Sequence, residues 1–405
     1  MASGMRILVY AYACEPGLGS EPGAGWAWAR MLANIGETWV LTRSNNRGPI
    51  ERELERVPEH DRLHFEYVDL AAWSRGWKRG QRGIRLYYLL WQVAALRRAR
   101  RLHRSLRFDL VWHVTLTTAW LGSTAPLVGP PFAYGPVAGG ATVPWRLVPG
   151  LGLRGIAYEA VRSAARSAGR YLNPLARVSW RRAGLILTQN AETRNWLPRR
   201  HRHKTKVLPH VVLDVPPSAA VRDRASGTCA LYAGRLLAWK GAWLAVRAMA
   251  HLPDWQLLVV GKGPDERRLT KLARRLGVQD RVRFLGPVPR EEVLGLMSRE
   301  ADLFLFPSLH DEAGWVVLEA SASGLPVVCL DVGGPPLLGG RGVEPSTPRA
   351  TAHALALEVV RAAGAPAASA EAFSMARRLD ALRALIRSAN LAPDAPGRQE
   401  TVDAG

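Results

Sequence analysis

The sequence predicts an α/β protein made of two doubly wound, Rossmann-like domains of similar size that face each other across a cleft. Three observations carry this. Short apolar runs alternate with helical patterns along two separate stretches of chain, the signature of parallel sheets with helices on both faces. A proline-rich segment without periodicity divides the two series. The length, 405 residues, suits two domains of ordinary size.

In the first series ILVYAY (7–12), TWVLTR (38–43), LHFEYV (63–68), DLVWHVT (109–115), PFAYGP (131–136) and GLILTQ (184–189) read as strands, with helices over 23–36 and 84–107. In the second, TCALYAGR (228–235), WQLLVVGKG (255–263), RVRFLG (281–286), ADLFLFPS (301–308) and LPVVCLDVGG (325–334) read as strands, with helices over 241–251, 264–276 and 290–299. Runs this short and apolar suit sheets covered on both faces. The expected organisation is a first domain over 1–205, a linker over 206–226 and a second domain over 227–367. A helix over 368–391 packs back on the first domain, and a disordered tail fills 392–405.

Composition narrows the class. With 48% hydrophobic and 22% charged residues the chain has the make-up of a soluble globular protein with real cores. Cys14, Cys229 and Cys329 are too few and too far apart for a disulfide framework or a metal site, and Cys229 and Cys329, in apolar strand-like runs, fit buried thiols in a reducing cytosol. The opening MASGMRILVYAYA has too short an apolar run for a signal peptide. Leu110 to Trp145 carries no formal charge, but Pro126, Pro130, Pro131, Pro136 and Pro144 break any spanning helix there. The net charge of +21 is concentrated: residues 70–205 hold 24 Lys and Arg against Asp109, Glu159 and Glu192 alone. Such a surface is a solvated basic face or one that meets an anionic membrane, substrate or nucleic acid.

The first strand leads into CEPGLGSEPGAGW (14–26), a glycine loop before an apolar helix. That is how a phosphate-binding turn begins. A dinucleotide site also wants an acid near the end of the second strand to bond the ribose. TWVLTR ends in Arg43 instead, which counts against a nicotinamide enzyme.

The second domain is more specific. FPSLHDEAGWVVLEASASGLPVVCLDVGG runs strand, loop, helix, strand and glycine turn. It resembles the donor-site motif of the family-4-type retaining glycosyltransferases, which have the GT-B fold: an acid, seven residues, Glu, a small-residue helix and G-x-P-V-V. Asp311 and Glu319 have seven residues between them, Glu312 and Glu319 only six, so Asp311 aligns with the first acid, usually Glu in the family. YAGRLLAWKG is similar to G-R-L-x-x-x-K-G, LLVVGKGP to L-x-I-V-G-x-G-P, RVRFLGPVP to V-x-F-x-G-x-V and READLFLFPS to A-D-V-F-V-x-P-S. The five segments follow the family's order over about 100 residues.

The resemblance implies roles. Glu319 accepts bonds from ribose hydroxyls, and Asp311 from hydroxyls on the far side of the transferred sugar. Backbone N–H groups around Ala313, Gly314, Trp315 and Val316 face sugar or phosphate. Gly234, Arg235 and Lys240 meet the diphosphate, where two cations stabilise the leaving group. Gly261 adjoins the donor, and Phe284 and Gly286 line the base. From the first domain, Gly19 presents its backbone to the donor, and His113 either meets the sugar or is a buried histidine bonded to backbone. Glu21 either caps the following helix or meets a substrate hydroxyl. GPVAGGATVPW (135–145) lies on the acceptor side.

The expected activity is a metal-independent, retaining transfer of a hexose from a nucleotide-diphosphate sugar to a lipid-linked or polysaccharide acceptor. No cofactor and no nucleic-acid partner are expected. The alternative is a nucleotide-sugar-binding protein without catalysis. The basic segments 74–107 and 154–182, with Tyr87 and Trp91 among arginines, read either as amphipathic helices packed on the sheet with an arginine outer face or as an anionic-membrane surface, and the resemblance favours the membrane. The expected location is the cytoplasm, peripheral to the inner face of the cell membrane on the second reading.

Overall fold

The computed structural model describes residues 4–70, 84–213 and 228–391. The first domain runs β1 (Arg6–Tyr10), α1 (Ser20–Ala33), β2 (Glu37–Thr42), α2 (Arg47–Leu54), β3 (Leu63–Tyr67), α3 (Ile84–Leu106), β4 (Leu110–His113) and β5 (Phe132–Val137). It continues through α4 (Gly152–Leu172), α5 (Pro174–Arg182), β6 (Ala183–Thr188), α6 (Ala191–Trp196) and β7 (Thr205–Val207). The second domain runs β8 (Cys229–Ala233), α7 (Ala242–Ala248), β9 (Gln256–Val260), α8 (Glu266–Arg275), β10 (Val282–Gly286) and α9 (Arg290–Arg299). After it come β11 (Leu303–Phe306), α10 (Trp315–Ala322), β12 (Val327–Leu330), β13 (Arg341–Val343), α11 (Pro348–Ala362) and α12 (Met375–Ser388). The short edge strands β7 and β13 had no signal in the sequence, because three residues are too few to show a period.

Both sheets are parallel, in the orders β3-β2-β1-β4-β5-β6-β7 and β10-β9-β8-β11-β12-β13. The order reverses between β1 and β4 in one sheet and between β8 and β11 in the other. In a doubly wound sheet that switch point opens a crevice at the carboxyl ends of the strands. The loops leaving β1, β4, β8 and β11 therefore form the facing walls of one cleft.

The two domains share core residues. Leu147 and Leu151, ahead of α4, and Val211 and Leu213, after β7, are buried in the core of the second domain. In return Leu382 and Ile386 of α12 are buried in the first. Leu213 N–H donates to Phe373 O at 2.8 Å, and Arg383 reaches Asn34 O at 3.0 Å. The linker residues 214–226 and the tail 392–405 lie outside the described residues, as do 74–83 of the basic segment. Among the described residues no helix is long and apolar enough to cross a membrane.

The opening glycine loop has a packing reason. Gly25, in α1, lies against the chain that leaves β1, and a Cβ there would stand 2.0 Å from Ala13 O. Gly25→Ala should therefore cost about 2 kcal/mol or more, read as a lower urea midpoint. Gly48→Ala in α2 meets only the end of Arg52 at 3.4 Å and should leave the midpoint unchanged or raised.

Candidate functional site

The second domain builds its wall from the ends of β8, β9 and β11. Gly234 N–H donates to Val260 O at 3.0 Å and Gly261 N–H to Gly286 O at 2.8 Å, which locks the first turn after each strand. Gly261 has φ +130°, and a Cβ on it would fall 1.9 Å from Gly234 O, so no other residue lets these turns touch. Arg235 leaves this corner exposed, without an ion-pair partner among the described residues. Lys240 ends a 3₁₀ turn whose carbonyl accepts the Tyr232 hydroxyl at 3.1 Å. Its ammonium bonds Asp311 and lies 5.7 Å from the centre of the Phe306 ring.

Asp311 belongs to the loop between β11 and α10. Gly334 N–H holds its carbonyl at 2.9 Å, and Gly314 caps α10 in the left-handed conformation. One turn into α10 is Glu319, whose Oε1 accepts both Nε and Nη2 of Arg290 at 2.7 Å. Burial raises the Glu319 carboxyl above its ordinary range, and Arg290 opposes this.

The first domain closes the other side. Gly19 precedes α1, and a Cβ there would lie 3.4 Å from Arg290 Nε and 3.5 Å from Glu319 Oε1. Glu21 makes no cap bond to α1; its Oε1 accepts the N–H of Leu116, past the end of β4, while the side chain lines the cleft. The cavity so enclosed measures about 710 Å³, a volume for a small-molecule ligand.

Twelve of the residues singled out from the sequence line it together: Gly19, Glu21, Gly234, Arg235, Lys240, Gly261, Asp311, Ala313, Gly314, Trp315, Val316 and Glu319. Three do not. His113 is fully buried within the first domain; Nε2 meets the Tyr88 hydroxyl at 3.0 Å and Nδ1 the Ser123 hydroxyl at 2.6 Å. Burial pushes its imidazole down to about 3. It ends β4 facing the core under α3, and the chain meets a cleft-lining side chain further on, where Leu116 N–H donates to Glu21. Phe284 packs on the second core; Pro287 and Val288 line the cleft in its place. Gly286 supports Gly261 from behind. The membrane reading of α3 is corrected in part: Tyr87 and Trp91 are buried against the sheet, whereas Leu86, Leu89, Leu90 and Val93 are exposed.

Sequence reasoning missed Arg290, Lys262 and His210, all lining residues. Arg290 opens α9 directly after Pro289, a helix-start signal that was legible. His210 stands in the stretch read as linker.

A polar junction beside the cleft ties the domains. Tyr158 of α4 stacks on Trp239 at 4.2 Å between ring centres, and Trp239 on His310 at 5.7 Å. His310 Nε2 bonds Glu159 Oε1 at 2.7 Å. Glu312 accepts Asn190 Nδ2 and Thr193 Oγ1, each at 3.0 Å, and Glu192 accepts Gly333 N–H at 2.7 Å. Burial would raise the Glu159 carboxyl, but His310 and Arg162 more than offset this and hold it below its ordinary value. Among the described residues no three His, Cys, Asp or Glu side chains are grouped as metal ligands.

With this geometry in view, comparison with known proteins is specific for the second domain. Residues 223–353 match the family described as glycosyl transferases group 1. D-inositol 3-phosphate glycosyltransferase of Corynebacterium jeikeium is 43% identical over 117 residues, 26% of this chain and 28% of that one. Its counterpart in Corynebacterium glutamicum is 36% identical over 140 residues, 31% of this chain and 33% of that one. The match thus spans about a third of these relatives' length. Among solved structures, HepE of Anabaena in complex with UDP and glucose superposes with a TM-score of 0.58 over 95% of this chain and 100% of that one, at 19% identity. Sucrose-phosphate synthase of Thermosynechococcus elongatus gives 0.59 over 96% of this chain and 100% of that one, at 17% identity. The fold is GT-B.

Because Glu159 binds its proton less tightly folded than unfolded, its contribution to stability is complete above the ordinary carboxylate value. It is lost as pH falls through and below that value. Glu159→Ala should lower stability by about 2–3 kcal/mol at pH 7. Glu159→Gln should flatten the loss of thermal stability of wild type between pH 5 and pH 3, as read from melting temperature at each pH.

Proposed function

We propose that the protein transfers a hexose from a nucleotide-diphosphate sugar, with retention and without a metal ion, to a lipid-linked or polysaccharide acceptor. The observation that carries this reading is the placement of Arg235 and Lys240 beside Asp311 at one switch point, with Glu319 a helix turn away and Gly19 of the other domain against it. Two cations at strand ends suit a diphosphate; a buried carboxylate behind them suits ribose hydroxyls. HepE, which shares the fold, is known in complex with UDP and with UDP-glucose, which supports a donor of this class.

Asp311 bonds the Lys240 ammonium and holds it in place. A diphosphate competes for that ammonium, and the carboxylate is then free to accept sugar hydroxyls. In the transfer step the bond from the anomeric carbon to the phosphate oxygen breaks and a bond to the acceptor oxygen forms on the same face. The acceptor's proton passes to the departing phosphate oxygen. Lys240 and Arg235 stabilise the charge that develops there, which is stronger in the transition state than in the ground state.

The acceptor reading rests on the first domain. Trp145, Leu153, Val161 and Leu172 are exposed around α4 among Arg146, Arg154 and Arg170. Apolar side chains set among arginines suit an anionic membrane where a lipid-linked acceptor resides.

Lys240→Ala and Glu319→Ala should each lower transfer by about 100-fold or more while melting temperatures stay near wild type. Wild-type turnover should persist in a chelator, and the product should keep the donor's anomeric configuration by NMR. Normal transfer by Lys240→Ala would remove the assigned site; donor binding with neither transfer nor hydrolysis would leave a binding protein.

A further inference from the structure

His210 enters the cleft on the chain that crosses between the domains after β7, and its surroundings fix which ring nitrogen carries the proton. Its backbone is pinned on three sides. Its carbonyl accepts Trp28 Nε1–H at 2.9 Å, the neighbouring Pro209 carbonyl accepts the Arg378 guanidinium, and its N–H donates to Gln189 Oε1 at 2.9 Å. That last bond orients the Gln189 amide, because only the oxygen accepts. The Gln189 NH₂ group therefore faces the other two neighbours, donating to Pro136 O at 3.3 Å and to His210 Nδ1. All three partners agree on one orientation, and the reverse would set N–H against N–H and oxygen against oxygen.

Nδ1 is thus an acceptor. Burial lowers the pKa of the imidazole below its ordinary value, so the ring is neutral at pH 7. A neutral ring with a bare Nδ1 carries its proton on Nε2, and Nε2 has no hydrogen-bond partner among the described residues. The ring centre lies 6.0 Å from that of Trp315, and Glu21 and Asp311 are the acids that act on it, with Arg378 the opposing cation.

On the reading of the cleft as a sugar-nucleotide site, we propose that His210 presents Nε2–H as a fixed hydrogen-bond donor to an oxygen of the transferred sugar. The side it faces favours the sugar over the nucleotide: Glu21, Asp311 and Trp315 surround it, whereas the Arg290–Glu319 pair suits the ribose. Asp311 accepts from hydroxyls and His210 donates to an oxygen, so the two together read both faces of a sugar hydroxyl pattern. Gln189 is a positioning residue that acts through the ring.

The test first titrates wild type with UDP-glucose, GDP-mannose and ADP-glucose, then uses the best binder and its own nucleoside diphosphate as probes. His210→Phe should weaken the sugar nucleotide about tenfold and the diphosphate less than twofold, the loss of one hydrogen bond to the sugar alone. His210→Gln, whose amide reaches as far as Nε2, should recover part of that loss. ¹H–¹⁵N spectra of the imidazoles should show His210 neutral with Nε2 protonated at pH 7, and Gln189→Leu should mix the tautomers. Equal losses for both probes, no loss for either, or a proton found on Nδ1 would overturn the assignment to His210 and leave the transferase reading standing. Wild type that binds none of the three sugar nucleotides would overturn both.

Discussion

The cleft hangs on one bond between buried side chains of different domains, Glu159 on α4 and His310 on the loop after β11. His310 precedes Asp311, and Trp239, stacked on His310, precedes Lys240. Successive side chains leave a chain on different sides, so residues gripped by α4 alternate with residues that face the cavity. Leu309 N–H donates to Trp239 O at 2.8 Å and joins the two segments. The junction therefore sets the position of the Lys240–Asp311 pair through one peptide unit on each side. A group that must meet charge as it develops gains from such fixation, since little reorganisation is left for the moment of reaction.

Electrostatics in the cleft are divided by domain. The second domain supplies Arg235, Lys240, Lys262 and Arg290 with Asp311 and Glu319, so its acids are met by cations. The first domain contributes the backbone of Gly19, the carboxylate of Glu21 and the imidazole of His210. Positive charge is thus gathered on one wall, and the other wall offers polar groups without net positive charge. The large basic excess of the first domain lies elsewhere, on the outer surfaces of helices such as α3 and α4, which expose Arg97, Arg98, Arg101 and Arg154 as well as Leu86, Leu90, Leu153 and Leu172. Charge concentrated away from the cavity bears on partners of the whole molecule, not on the reacting groups.

Alternating apolar runs determined the two parallel sheets, because strands buried on both faces must be apolar throughout and a crossover helix must separate them. The spacing of Asp311 and Glu319, and the glycines and cations after β8 and β9, determined the second domain's wall of the cleft, since these contacts come from residues close along the chain at strand ends. Only the tertiary structure decided what depends on facing. His113 and Leu116 are three residues apart, yet one is sealed in the core and the other bonds Glu21 of the cleft wall, because β4 ends between them. Tyr87 and Trp91 share a helix with exposed Leu86 and Leu90, and burial follows from the side of α3 that meets the sheet. His210 gave no signal in a proline-rich stretch; its place in the cleft follows from its bonds to Gln189 and Trp28 and from the bond of Arg378 to the neighbouring Pro209 carbonyl, all three partners distant in sequence. Local chemistry is written in short spacings, but which domain closes on which residue is a matter of long-range contact that no local pattern encodes.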